Sequence, residues 1–404
     1  MLQYIFYQDI YIEHCAAGKE EVLIRRVPHY YKEFHCIAGD CKDNCCVGGW
    51  EIDIDDEMAE YYMNLEGEFG DRLRASITRT DEYCFQLKDG KCPFLDNKNL
   101  CEIYQELGED KMGVVCTQFP RYTEYYGTVK ETGIGLACEE AERIIFSDKD
   151  HFSLISEEID EAETLDSEYD KELAEKLFRV RDRLFTLMEE PSFTLHEKLI
   201  ILLNIAYEIQ EAVNRNRYDE MNSFFDMPIE KMAAEYINKA YVKQEPQKAV
   251  ERILYPYEAL EVLSADWQEQ MNMLFDSLHS DAVATEEYEA IGKAFMKDIK
   301  DRLYEYENLV KYFLFRYFMK AAYDHDIFGK AQMITANYLV IRDMDMLKWL
   351  KQNKTFTFAD RIDTVHIFSR EVEYSQDNVI ALAEEFLFDD IFQLENLCGL
   401  LQNL

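Results

Sequence analysis

Four cysteines fall within eleven residues, Cys36-x4-Cys41-x3-Cys45-Cys46 in the run FHCIAGDCKDNCCVGGW, and an ordinary hydrophobic core has no place for them. Adjacent Cys45 and Cys46 cannot both face one way on a regular strand or helix. A soft metal resolves both difficulties. Thiolates bind zinc or iron strongly, and that binding energy stands in for missing core energy. Gly39, Gly48 and Gly49 supply the backbone freedom of a tight knuckle. Four more cysteines follow at wider spacing: Cys92, Cys101, Cys116 and Cys138. Cys138, in GLACEE, stands at an expected helix start, where the positive end of the helix would lower its thiol pKa. Eight thiols make two four-thiolate sites, or one cluster and one structural metal, with zinc and iron both compatible. His35, beside Cys36, is an alternative donor. Cys15, Cys84 and Cys398 stand outside the pattern and read as ordinary buried cysteines.

Cysteine and glycine divide the chain near residue 150. Nine of the 11 Cys lie between Cys36 and Cys138, and 12 of the 15 Gly precede residue 150. The expected organisation is an N-terminal extension (1–27), a loop-rich cysteine domain (28–150), an acidic linker or helix start (151–176) and an all-α domain (177–404). The fold class is therefore mainly α. Residues 157–175 hold ten acids against one Lys, a solvated stretch. Beyond it, Thr194 and Glu197 form a capping box before LIILLNIAYEI. Leu309, Phe313, Phe315, Phe318 and Met319 trace one apolar face. Thr357 and Asp360 open another helix, with Ile362, Val365, Phe368 and Val372 at helical spacing. A last helical segment from Val379 to Leu401 carries Ile380, Ala383, Leu387, Ile391 and Leu394 inward. Pro191, Pro228, Pro246 and Pro256 mark helix starts or loops. The run from Gly127 to Gly135 reads as a turn or hairpin.

A net charge of -38 over 404 residues argues against nucleic acid, which is bound by Lys and Arg displacing counterions, and against anionic membranes. Attraction of a Lys-bearing partner is the sharper consequence. The N-terminus lacks a positive region and an unbroken apolar run, and no apolar stretch reaches membrane-spanning length. A cytoplasmic location is expected, where eleven cysteines are unlike a disulfide framework. The 27 Tyr bury area while keeping a polar handle. Three-cysteine radical loops of the Cys-x3-Cys-x2-Cys type are excluded, because Cys41-x3-Cys45 would need a third Cys where Gly48 stands. GxGxxG after a strand, a P-loop, HExxH and GxSxG are also missing.

The order FHCIAGDCKDNCCVGGWEIDID, GKCPFLDNKNLCEIYQELGEDKM, VCTQFPRY and LACEEAERII resembles the flagellin lysine-N-methylase (FliB) family, within the zinc- or iron-chelating cysteine-cluster proteins. The resemblance is strong over residues 28–146. It continues weakly in FSREVEYS at Phe368 to Ser375, where the family usually has His in place of Tyr374. It implies methyl transfer from S-adenosylmethionine to lysine amines of flagellin, in an enzyme with an iron–sulfur centre, most simply 4Fe-4S. It places cysteines 36, 41, 45, 46, 92, 101, 116 and 138 at the family's recurrent positions. Aromatic faces can hold a sulfonium, and Trp50, Tyr122, Tyr125 and Tyr126 are candidates for that role. Arg121 is a candidate for the cofactor carboxylate or a cluster sulfide, or for a structural ion pair. Two other readings stand beside it: a non-catalytic zinc module with a helical partner-binding half, and a reversible thiol redox sensor.

Overall fold

The computed structural model describes residues 22–47, 52–79, 82–160 and 168–404. Among them the strands are β1 (Leu23–Pro28), β2 (Ile52–Ile54), β3 (Ile77–Arg79), β4 (Tyr83–Phe85), β5 (Arg121–Tyr126), β6 (Val129–Ile134) and β7 (Leu154–Ile159). Most of the rest is helix, so the mainly α class holds. The chain packs as two units, one of Lys32–Tyr122 and Ile134–Glu142, the other of the described residues up to Tyr31 with Thr123–Gly133 and Arg143–Leu404.

This division differs from the one expected at 27, 150 and 176, and strand pairing is the reason. β1 pairs parallel with β6 (Ile24 opposite Val129) and antiparallel with β7 (Pro28 opposite Leu154), in the order β5-β6-β1-β7. Parallel partners need a long crossover between them. Here that connection contains most of the cysteine-bearing unit, Lys32–Tyr122, while its Ile134–Glu142 part, with Cys138, runs on from the end of β6. The expected extension thus contributes β1, and part of the expected linker is β7. The turn at Gly127, with φ +61, joins β5 to β6 as the hairpin reading required.

His29, just after β1, places Nε2 3.1 Å from Asp148 Oδ2. The hydrogen bond that His29 donates to Asp148 raises the imidazole pKa, against a smaller opposing effect of burial. A raised histidine pKa adds stability below about pH 6.5, the unfolded value, and that increment is lost as pH rises through the folded value. Asp148→Asn should abolish this increment, which urea titrations at pH 5.5 and 8 will show as a smaller difference between the two pH values.

In the cysteine-bearing unit, β4 lies between β2 and β3, with Ile52 and Ile77 both opposite Phe85. Helices α1 (Asp56–Asn64) and α2 (Glu68–Ser76) follow β2. Asp55 caps α1 by accepting from the Met58 N–H at 3.0 Å, and acids at 56 and 57 favour the helix's positive end. Ile52, Ile54, Met58, Tyr62, Leu73, Phe85 and Phe94 form the core, and the half-buried Cys92, Cys101 and Cys116 pack against it. The cysteines therefore border a small apolar core rather than replace one.

The other unit is built round a 25-residue helix, Ile327–Lys351, buried on nearly all sides. A helix this apolar all round belongs at a core's centre. It nevertheless carries Arg342, Asp343 and Asp345, all buried. Asp343 accepts from Tyr288 Oη at 2.9 Å and His279 Nε2 at 2.9 Å; Asp345 accepts from Tyr306 Oη at 2.7 Å and pairs with Arg361. Buried phenols thus supply the donors that buried carboxylates require.

The capping boxes at Thr194–Glu197 and Thr357–Asp360 are both formed. Leu309, Phe313, Phe315, Phe318 and Met319 are all buried. Pro228 and Pro246 open helices as expected, whereas Pro256 lies in the last turn of Pro246–Glu258. The expected segment 379–401 is broken into Gln376–Phe388, a turn at Asp390–Phe392, and Leu394–Asn403. The first of these buries Asn378, Leu382 and Phe386, not the stripe through Leu387. Among the described residues no helix is long and apolar enough to cross a membrane.

Candidate functional site

All eight candidate cysteines lie in the smaller unit. Cys45 and Cys46 sit in a single 3-10 turn, Cys45–Val47, which resolves their adjacency without a regular element. Buried Asn44 fixes that turn: its Oδ1 accepts from the Cys46 N–H at 2.8 Å. The Cys46 carbonyl accepts from the Cys92 N–H at 2.8 Å, tying the knuckle to the second loop. In that loop Asp96 Oδ1 accepts from the Leu100 N–H at 2.9 Å, and Cys101 leads into α3 (Glu102–Leu107). A Cβ on Gly39 would meet the Lys98 carbonyl oxygen at 2.9 Å, so close loop approach, not a left-handed φ, calls for glycine there.

Cys116 lies within α4 (Val114–Gln118), whose first N–H donates to Asp55 Oδ2 at 2.9 Å. One carboxylate therefore caps α1 and sets the start of the helix that carries Cys116. Asp55→Ala should cost about 1–2 kcal/mol by loss of the cap. Asp55→Asn, which keeps one acceptor, should cost less; chemical denaturation of the two variants measures both.

Cys45, Cys46, Cys92, Cys101 and Cys116 act on one another electrostatically. Burial first, then the neighbouring thiols, pushes Cys116 up to about 12. Burial likewise raises Cys92 to about 11, with Cys101 and Cys45 adding to it and the Phe94 N–H opposing. Cys46 lies far above the ordinary thiol range, through its hydrogen bond with Cys45 and then burial. The strongest influences on these thiols include no cationic side chain. Several thiolates cannot crowd together without a counter-charge; a bound soft cation supplies it and deprotonates its ligands outright.

Cys138 is also influenced by Cys45, and Cys41 in turn by Cys138. Cys138 precedes α5 (Glu139–Ser147), as expected, and its carbonyl accepts from the Glu142 N–H at 3.0 Å. Its thiol is nevertheless pushed up to about 12, because burial outweighs the Ala141 and Glu140 N–H groups that lower it. The expected lowering is thus reversed. Cys41 lies near Glu139, whose Oε2 also accepts from the Lys42 N–H at 2.8 Å. Cys36 is exposed, with its sulfur 3.4 Å from the Ala38 N–H, and His35 is exposed beside it. Cys84 is buried in β4; Cys398 is buried in the helical unit, where Asn204 Nδ2 lies 3.6 Å from its sulfur. Cys15 and Trp50, with Gly48 and Gly49, lie outside the described residues.

Among the described residues, no group of three or more His, Cys, Asp or Glu side chains is arranged to hold a metal ion. The donor chemistry of these thiols fits a soft metal or cluster.

Arg121 stacks over Phe34 at 5.1 Å and donates to the Thr117 carbonyl at 3.3 Å, so it braces the end of α4. Tyr122 is half-buried on β5. Tyr126 is buried among Tyr169, Phe178 and Tyr323, which makes it a packing residue rather than a free aromatic face. Tyr125 offers its ring to Lys130 at 5.6 Å. Tyr374 lies beneath Arg316, beside a Glu373 that accepts from Tyr312, Tyr317 and Ser369. Asn44 and Asp55 position the cysteine loops and were not foreseen. Their signals were faint: an Asn one residue before CC, and an acid run before an apolar helix.

Residues 181–400 match the FliB lysine N-methylase C-terminal domain family, over more than half of the sequence. A protein named lysine-N-methylase from Salmonella typhimurium LT2 is 27% identical over 135 residues, covering 31% of this chain and 33% of the relative. The same identity and coverage hold for the lysine-N-methylase of Salmonella choleraesuis. The flagellar biosynthetic protein FliU of Salmonella muenchen is 27% identical over 135 residues, 79% of its length. The chain thus aligns with about a third of the length of the two lysine-N-methylases. No solved structure matches. With a characteristic helical domain matched over 220 residues and the four cysteine blocks before it in order, the chain belongs to the FliB lysine N-methylase family.

Proposed function

We propose that this chain is a lysine N-methyltransferase that moves methyl groups from S-adenosylmethionine to lysine side chains of flagellin and carries a cysteine-ligated iron–sulfur centre. The observation that carries this reading is the family match over residues 181–400. The flagellar assignment draws on the name of the FliU relative. Cys45, Cys46, Cys92, Cys101 and Cys116 are the residues that would hold the centre, with Cys36, Cys41 and Cys138 as the remaining candidates. When bound, such a centre supplies electron-transfer chemistry and cross-links the loops that carry its thiolates.

The chemistry asked of the protein is definite. A lysine attacks a methyl carbon only through the lone pair of its neutral amine. The N–C bond forms as the S–C bond of the sulfonium breaks, and the proton on nitrogen must leave. The site must therefore hold the amine desolvated or take its proton. Trp50, Arg121 and Tyr122 remain candidates for contacts to the methyl donor. The test is anaerobically purified protein with unmethylated flagellin and methyl-labelled S-adenosylmethionine. Label on lysine side chains is expected; none, with the metal centre intact, refutes the reading.

A further inference from the structure

Leu387 and Phe388 end the Gln376–Phe388 helix and are 73% and 81% exposed, the most exposed large apolar side chains among the described residues. Sequence periodicity turns Leu387 inward; the structure turns it out, because the buried stripe runs through Asn378, Leu382 and Phe386. The pair is not on a loose end. Arg252 holds Asp389 and Asp390 just beyond it. Asp389 Oδ1 accepts from the Ile391 N–H at 2.9 Å, and the Phe386 and Phe392 rings pack at 4.3 Å beneath. A fixed scaffold thus presents two apolar side chains to solvent, with little ordering left to lose on binding.

The charge around them selects the occupant. Glu384 and Glu385 precede the pair, and Asp389 and Asp390, both held by Arg252, follow it. The negative end of the helix dipole points the same way. A second copy of this chain, at net charge -38, or an anionic membrane would meet like charge here. We propose that Leu387 and Phe388 form an apolar knob that docks a lysine-rimmed groove on the methyl-acceptor protein. This rests on the lysine-methylation reading above and adds where the acceptor protein is gripped. The acids steer the lysine-bearing surface, and the apolar pair supplies the buried anchor.

The test uses unmethylated flagellin as probe, measuring its Kd and the steady-state constants for methyl transfer. Leu387→Ser with Phe388→Ser should raise Kd and KM about tenfold or more while leaving kcat and the unfolding midpoint unchanged. Glu384→Lys with Glu385→Lys should weaken binding and flatten its salt dependence. Unchanged Kd and KM in the apolar variant overturn the docking proposal and leave lysine methylation standing. A wild-type dimer that the apolar variant dissociates also overturns it, by making the knob a self-interface. Failure of the wild-type chain to bind or methylate flagellin refutes the proposed function and the docking role together.

Discussion

Replacing Cys46 with Ser should remove the proposed metal centre and most soluble protein, and Cys45→Ser or Cys116→Ser should do the same. Cys116 packs against the small core of Ile52, Met58, Tyr62, Phe85 and Phe94, and the Cys46 carbonyl ties the knuckle to the loop of Cys92. Binding of a structural metal to thiolates contributes on the order of 10 kcal/mol, more than the whole net stability of many domains. Loss of one ligand therefore removes folding energy as well as metal. Serine at Cys36, exposed and apart from the five, should leave most of the metal in place. Metal content per chain in the soluble fraction ranks the variants. Equal retention in all of them contradicts the assignment of the five as ligands.

The second large effect lies in the helical unit. Arg361→Ala should destabilise by about 3–5 kcal/mol, because it leaves Asp345 as a buried carboxylate without its cation, whereas Glu305 keeps Arg302. Asp345→Ala should fall in the same range, leaving Arg361 buried and stranding the Tyr306 hydroxyl. Exchanging the pair together, Asp345→Leu with Arg361→Met, should recover much of the loss, since well-packed apolar replacements of buried ions are often neutral. Chemical denaturation measures all three. A single substitution costing under 1 kcal/mol would show that water reaches the network.

How far the sequence foretold this depends on the kind of interaction. Helices with local signals were legible: the two capping boxes, and the apolar face from Leu309 to Met319, lie where periodicity put them. The Cys45–Cys46 knuckle was legible because adjacency in sequence already limits its geometry. Long-range pairing was not. β1 and β6 meet in register across about a hundred residues, and nothing local in LIRRVP announces its partner. Nor does ALAEEFLF, apolar on more than one side, say which stripe faces inward, so Leu387 was misplaced. The ionic interior of Ile327–Lys351 was hidden for a related reason. Asp343 and Asp345 resemble surface acids until their partners, Tyr288, His279, Tyr306 and Arg361, arrive from other helices. The rise of the Cys138 pKa had the same origin: its helix start was readable, its burial was not.

The grouped thiols are proposed to hold an iron–sulfur centre. The most direct measurement is iron, acid-labile sulfide and zinc per chain in anaerobically purified protein, with electron paramagnetic resonance of the reduced sample. Expected is a brown protein with iron and sulfide in equal amounts, about four of each for a 4Fe-4S centre, and a cluster signal that disappears in Cys46→Ser. A colourless protein with stoichiometric zinc and no sulfide would contradict it.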